Sequence, residues 1–216
     1  MTGFFNPNNK LWSALSTAVD AVLLNLMWLI SCIPLFTVGA ATTAFYYTTH
    51  KVIRNQKSGI WKEYWSSFRS NFKQATKLWL LFFVIFLVFS FDIRICMAYL
   101  KTGTFVGMLA YFFIALAAMA LVWFMYVFAY LARFENGCKA TLKNAAIMAI
   151  ANLPRSLVVL LILAAAIYVC WFLMLFTWFV PAIAMVLINR VLEQVFRKYM
   201  SAEELLEEEE NDKMRC

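Results

Sequence analysis

Charged residues are scarce in this chain. Of its 216 residues, 14% are charged and 64% are hydrophobic, whereas a soluble domain is typically about a quarter charged and about half apolar. A chain of this length still exposes roughly a third of its unfolded surface after folding, so much of that surface would be apolar. The composition therefore excludes an ordinary water-soluble fold and indicates a protein that lies in lipid.

Linear signatures of chemistry are missing as well. The sequence has no H-E-x-x-H, G-x-S-x-G, Walker loop or G-x-G-x-x-G, and its five cysteines are scattered without a C-x-x-C pair. Neither a disulfide framework nor a zinc site is therefore expected. The single histidine, His50, has no second histidine or carboxylate at ligand spacing. We predict no cofactor, no metal and no enzymatic activity.

Long apolar runs are abundant, and crossing a membrane takes about 20 such residues. Residues 78–99 and 105–131 meet this length and are joined by a short link, which predicts an antiparallel pair. Residues 157–192 are too long for one crossing, and proline chemistry at Thr177–Pro181 divides them into two helices. With residues 11–33, hydropathy gives five clear spans.

A sixth span depends on residues 37–53. Pro34 ends the first run, and Thr37-Val38-Gly39 resembles an N-cap that opens a second helix. That helix either returns fully through the membrane or lies as a partly inserted arm. Lys10 favours a cytoplasmic N-terminus and hence six spans. The expected fold is all-α, a polytopic transmembrane bundle of residues 1–200 with a break at Pro34–Gly39, followed by an acidic cytoplasmic tail at 201–216.

Basic residues cluster in two segments between the apolar runs. Residues 51–77 hold Lys51, Arg54, Lys57, Lys62, Arg69, Lys73 and Lys77 against Glu63, and residues 131–155 hold Arg133, Lys139, Lys143 and Arg155 against Glu135. Lysine and arginine excess marks cytoplasmic loops. The pattern predicts a multi-pass protein of the cytoplasmic membrane with its C-terminus inside, a lipid partner and no nucleic-acid partner.

Residues 61–73 read as an amphipathic helix in the inner headgroup layer, with aromatic residues on one side and basic residues elsewhere. Such a helix is most often an interfacial anchor, and the alternative is a surface on which a partner protein docks. The candidate docking residues, including two at the cytoplasmic end of a later span, are Trp61, Trp65, Phe68, Arg69, Arg133 and Glu135.

Four polar residues fall inside the predicted spans: Asp20, Asn25, Asp92 and Arg94. Ionisable groups at membrane depth are functional candidates by default. Asp92 and Arg94 lie toward the external side, however, where an interhelical hydrogen bond and an arginine that reaches water explain them structurally. An intramembrane enzyme with Asp92 or Glu135 as acid or base would lack a positioned partner group.

Several separated motifs resemble the YesL family of bacterial membrane proteins. They are Gly3–Pro7, Asn25–Pro34, Thr37–Ala44, Asn71–Thr76 and Leu131–Asn136. The resemblance implies a membrane domain of unknown function whose relatives are often encoded beside carbohydrate uptake transporters and polysaccharide-degrading enzymes. It implies no catalytic residues.

Two functions compete at this point. The first is a non-enzymatic accessory or regulatory component of carbohydrate uptake, which contacts sugar-transporter subunits through its two basic loops. The alternative is a permease-like transporter subunit, because Ile150–Pro154 faintly resembles the cytoplasmic coupling loop of binding-protein-dependent permeases. That loop's characteristic glycine is missing at the expected distance, and polar groups for a sugar pathway are few.

Overall fold

The computed structural model describes residues 10–54, 59–100, 105–200 and 205–206. These residues form helices and contain no strand, so the all-α prediction is confirmed. Seven helices follow one another: α1 Lys10–Cys32, α2 Val38–Thr48, α3 Ile60–Leu100, α4 Phe105–Arg133, α5 Cys138–Ala151, α6 Leu153–Phe172 and α7 Val180–Phe196. The predicted N-terminal motif Gly3–Pro7 and all but two residues of the predicted acidic tail lie outside the described residues.

Three helices are long and apolar enough to cross a membrane, namely α3, α4 and α6. Their most apolar windows are between 11% and 22% buried, so most of that apolar surface faces outward. Large side chains at the end of α6 and just after it are also exposed, such as Trp171 at 87% and Met174 at 86%. An apolar surface of this extent fits an integral membrane protein. The described residues therefore give three candidate spans rather than the five or six expected.

Helix α3 is continuous over 41 residues, a length of about 60 Å and about twice the hydrocarbon thickness. Residues 61–73, predicted as an amphipathic helix before the next span, are helical and run into that span without a break. Those residues are the N-terminal part of α3. No glycine or proline occurs between Ile60 and Leu100, so nothing interrupts the backbone hydrogen bonds between the polar and apolar halves.

Helix α2 is short and central. Its 11 residues measure about 16 Å, and Gly39–Tyr46 are all buried. It packs against α1, α3, α4 and α7. The predicted break before this helix is observed, because α1 ends at Cys32 and α2 begins at Val38. α2 alone is shorter than the hydrocarbon layer, and the π-helical turn Thr49–Arg54 continues it without a break.

Gly39 sets how closely α2 approaches its neighbours. A Cβ at this position would lie 2.6 Å from the carbonyl oxygen of Ala75, 2.7 Å from the Cβ of Trp79 and 2.8 Å from a ring carbon of Phe128. Trp79 also donates its indole N–H to the carbonyl oxygen of Leu35 at 2.6 Å. The start of α2 is therefore held directly against α3 and α4.

The connection between α6 and α7 differs from the prediction. α6 ends at Phe172, a 3₁₀ turn occupies Met174–Trp178, and α7 begins at Val180. Pro181 thus lies in the first turn of α7, where its missing N–H leaves no helical hydrogen bond unmade. The predicted division into two helices is observed, and the break at residues 173–179 begins four residues before the predicted Thr177–Pro181 and overlaps it. Pro181 starts the second helix instead of ending the first.

We expect Gly39→Ala to destabilise the protein by about 1–3 kcal/mol, because the new methyl group meets backbone and ring atoms that cannot easily move. Denaturant unfolding in detergent micelles, followed by tryptophan fluorescence, measures this loss. Gly59→Ala is the matched control, since a Cβ at Gly59 meets nothing within 4 Å. Equal stability of the two variants would contradict close packing of α2.

Candidate functional site

A polar cleft lies between the N-terminal half of α3 and the connection from α4 to α5. Its volume is about 600 Å³. Hydroxyl and amide side chains of α3 form one wall, and the connection from α4 to α5 forms the other. The lining residues include Tyr47, Ser66, Ser67, Ser70, Asn71, Gln74, Arg133, Phe134, Glu135 and Asn136. We call this space the polar cleft.

Hydrogen bonds fix the two walls of the polar cleft to each other. Gln74 donates its amide Nε2 to the carbonyl oxygen of Asn136 at 2.6 Å. Asn136 and Asn144 donate their Nδ2 atoms to the hydroxyl of Tyr130, at 2.9 and 3.0 Å. The connection after α4 is therefore tied to α3, α4 and α5, and the shape of the cleft is preformed.

A buried carboxylate lies behind the polar cleft. Glu193 on α7 is 1% exposed and receives a hydrogen bond from the Tyr46 hydroxyl at 2.9 Å. His50 Nδ1 lies 3.5 Å from the same carboxylate oxygen, and Arg133 Nη2 lies 3.2 Å from the other. We call Tyr46, His50, Arg133 and Glu193 the Glu193 cluster. It joins α2, the π-helical turn Thr49–Arg54, α4 and α7.

Aromatic rings shield this cluster from water. Phe196 packs edge-on against Tyr46, Tyr130 and Phe134, with centroid distances of 6.4, 6.3 and 5.8 Å. A charge pair inside such a shell is stable only if both partners are satisfied, because either charge alone would be buried without compensation. Arg133 both lines the cleft and pairs with Glu193, so the cleft rests directly on the cluster.

A second ion pair holds the other end of the polar cleft. Lys51 Nζ lies 2.8 Å from Glu63 Oε2 and donates to the Tyr47 hydroxyl at 3.1 Å. Partial burial lowers the pKa of Lys51, but its hydrogen bonds to Glu63 and Tyr47 outweigh this effect and leave the pKa above its ordinary value. Lys51 therefore stays charged at neutral pH and positions Tyr47 in the cleft wall.

The side chains of the polar cleft can bind a ligand through hydrogen bonds. The polar cleft offers hydroxyl and amide groups of neutral side chains, which can donate and accept hydrogen bonds. In the described part of the chain, no three histidine, cysteine, aspartate or glutamate side chains come together as metal ligands. The polar cleft is therefore a surface of neutral hydrogen-bonding groups, with the charged side chains of Arg133 and Glu135 beside them.

The predicted docking residues divide into two groups. Arg133 and the exposed Glu135 line the polar cleft. The others lie on α3 outside the lining: Trp61 is 69% exposed, Arg69 is exposed, and Trp65 and Phe68 are half-buried. Trp65 and Phe68 pack edge-on, with ring centroids 5.3 Å apart, as part of an aromatic row along α3.

The four predicted intramembrane polar residues lie away from the polar cleft. Asn25 is fully buried and donates its Nδ2 to the carbonyl oxygens of Thr177 and Trp178, at 3.0 and 2.9 Å, which joins α1 to the connection before α7. Asp20 and Asp92 are half-buried and Arg94 is exposed. The interhelical hydrogen bond predicted for Asp92 is not formed with any residue of the described ranges.

Glu193, Tyr46 and His50 are site residues that sequence reasoning missed. A signal for one of them exists in the sequence. Asn189, Leu192, Glu193 and Phe196 follow the i, i+3, i+4, i+7 spacing of one helix face, and all four are buried. A carboxylate on a helix face that the spacing predicts to be buried indicates a buried, paired charge.

We expect Glu193→Gln to lower the free energy of unfolding by about 3–5 kcal/mol, because it removes the buried carboxylate charge that pairs with the half-buried Arg133 guanidinium. Denaturant unfolding in detergent micelles measures the loss. Glu135→Gln makes the same chemical change at an exposed position and should leave stability nearly unchanged. A loss at Glu193 no greater than at Glu135 would show that the cluster does not hold the helices together.

A family model matches part of the chain. Residues 21–93 match a family described as "Protein of unknown function, DUF624". That range contains α2 and parts of α1 and α3. No curated protein and no solved structure matches the chain. Residues 21–93 thus resemble a domain of unknown function, in a chain whose apolar helices fit an integral membrane protein.

Proposed function

We propose that this chain is a non-enzymatic accessory protein of the cytoplasmic membrane that holds a segment of a partner protein in the polar cleft. In this proposal the chain crosses the membrane five or six times, with the two basic segments and the C-terminus in the cytoplasm. The observation that carries it is the convergence of both basic segments on one preformed cleft.

The length of α3 supports the cytoplasmic position of the cleft. Its hydrocarbon-spanning part accounts for about 30 Å, so about half of the helix extends beyond the membrane. The N-terminal half carries exposed cations, Lys62, Arg69, Lys73 and Lys77. A cation-rich end that protrudes from lipid is typical of the cytoplasmic side.

The chemistry of the lining supports a polypeptide ligand. Backbone N–H and C=O groups need neutral donors and acceptors, and Ser66, Ser70, Asn71 and Gln74 are neutral hydroxyls and amides along one helix. Ser66, Ser70 and Gln74 follow one another at intervals of four residues and Asn71 is next to Ser70, so all four lie on one side of α3. An extended segment of a partner can therefore bind along this row.

The link to carbohydrate uptake comes from the resemblance to the YesL family, whose relatives are often encoded beside sugar transporters. In the proposal, the bound segment belongs to a transporter subunit in the same membrane. The accessory protein then favours assembly or a particular state of that transporter, and it performs no chemistry itself.

The permease alternative retains one observation in its favour. Leu153 and Pro154 are exposed at the corner where α5 meets α6, as a loop that contacts an ATPase would need to be. Against it, buried polar groups near this corner are already used within the chain. Ser156 donates to the Ala149 carbonyl at 2.7 Å, and Asn152 donates to the Tyr199 hydroxyl at 3.2 Å.

We expect a photoreactive residue in place of Ser70 to crosslink a transporter subunit in native membranes, because Ser70 is exposed in the lining of the polar cleft. Mass spectrometry of the adduct identifies what is captured. Ser90 is the matched control, since it is an exposed serine in the apolar half of the same helix. A photoreactive residue in place of Ser90 should capture lipid and no transporter subunit.

Gly137→Trp tests whether capture depends on the space within the cleft. Gly137 lines the cleft and a Cβ there meets nothing within 4 Å, so the ring should fill the cleft without disturbing the fold. Capture from Ser70 should fall, whereas Gly59→Trp, at another open position, should leave it unchanged. If Ser70 captures lipid alone, the docking proposal fails.

A further inference from the structure

A second cavity lies between α1 and α7, apart from the polar cleft. Its volume is about 410 Å³, which is within the range of small-ligand sites. Small and branched apolar side chains form most of its wall. Four residues add polar groups: Thr17 on α1, Thr49 at the start of the π-helical turn, and Asn189 and Arg190 on α7. We call it the α1–α7 cavity.

Asn189 is the most unusual residue of this cavity. Asn189 is 1% exposed. Neither its amide oxygen nor its amide nitrogen has a hydrogen-bond partner in the described part of the protein. Buried amides are almost always paired, because leaving them unpaired costs free energy. An unpaired donor and acceptor that line a cavity indicate a ligand able to use both.

Thr49, in a different element from Asn189, adds a second unpaired group to the wall of the cavity. It is 1% exposed, and its hydroxyl oxygen likewise lacks a partner within the described ranges. Thr49 opens the π-helical turn Thr49–Arg54, and π-helical turns occur frequently at functional sites. Two buried polar groups from different elements thus line one space.

Arg190 gives the cavity its charge. It is exposed at the rim, and it makes no ion pair or hydrogen bond with the residues that the structure describes. Among the described lining residues it carries the one formal charge. Glu193 is one turn further along α7, but it is engaged by Tyr46 and Arg133. The cavity is therefore suited to an anionic group at its rim.

The remaining wall is apolar and continues onto the outer surface. Ile183 and Leu187 line the cavity and are 58% and 42% exposed. Ala18, Ala21 and Ala182 leave room between the two helices. An acyl chain can lie along such a surface with its anionic head at Arg190, as at basic pockets between membrane helices.

We propose that the α1–α7 cavity binds an anionic glycerophospholipid. Its phosphate pairs with Arg190, the Asn189 amide and the Thr49 hydroxyl bond to oxygen atoms of the head or the glycerol esters, and an acyl chain covers Ile183 and Leu187. This site does not depend on the polar cleft or on any partner protein.

Native mass spectrometry of the purified full chain in non-ionic detergent tests the proposal, with phosphatidylglycerol or phosphatidylcholine added. We expect one phosphatidylglycerol to be retained in preference to phosphatidylcholine, and Arg190→Gln to weaken its binding about fivefold. Arg94→Gln is the matched control, because Arg94 is also an exposed arginine on an apolar helix. Equal retention of both lipids, or equal losses in both variants, would overturn the proposal.

Asn189→Leu gives an independent readout. Removing an unpaired buried amide should raise the midpoint of thermal unfolding in lipid-free detergent, whereas the rise caused by phosphatidylglycerol should be smaller than in the unsubstituted protein. An undiminished rise would show that the amide does not contact lipid. Glycerol phosphate should not displace the lipid at equal concentration, and displacement would identify a soluble ligand instead.

Discussion

The arrangement of the helices depends on neutralising one buried carboxylate. Glu193 on α7 would be too costly to bury alone, and its compensation comes from three elements that are distant in sequence: Tyr46 on α2, His50 in the π-helical turn and Arg133 at the end of α4. Hydrogen bonds and charge pairs are directional, whereas apolar contacts between membrane helices tolerate sliding and rotation. The carboxylate therefore sets the register of α7 against α2 and α4. It also orients Arg133, which forms part of the polar cleft.

Close packing makes this register possible, because the cluster can form only if α2 lies deep between its neighbours. Gly39 lets the α2 backbone touch α3 and α4, and Ala40, Ala41 and Ala44 are each fully buried on the same short helix. Small residues allow dispersion contacts between backbones where lipid offers no hydrophobic drive for association. The protein thus combines small-residue packing at one end of α2 with a charge-paired contact at the other.

Hydropathy and proline chemistry were sufficient to predict helices, the antiparallel pair of α3 and α4, and the break between Cys32 and Val38. They could not show that α3 is continuous. The amphipathic and apolar parts of this helix have different side-chain patterns, but one series of backbone hydrogen bonds runs through both, and a side-chain pattern does not indicate that. They also missed the cluster. His50 has no ligand-spaced partner in the sequence, and its neighbour Glu193 is brought near only by folding. The sequence predicts Arg133 as a surface group, yet its guanidinium pairs with Glu193. Sequence spacing could not indicate this pair, because a contact between distant helices leaves no local pattern.

Two polar residues on one face of α7 show how function and stability can be separated within a single helix. Glu193 and Asn189 are four residues apart and therefore share a face, both are 1% exposed, and their surroundings differ. Protein groups surround the carboxylate, which fits a structural role. The amide has no protein partner in the described ranges and faces a cavity with an exposed arginine at its rim. An unpaired buried amide reduces stability. A ligand that forms hydrogen bonds with the Asn189 amide would explain why it is retained. The same helix therefore carries one residue that supports the polar cleft, Glu193, and one that lines the proposed lipid site, Asn189.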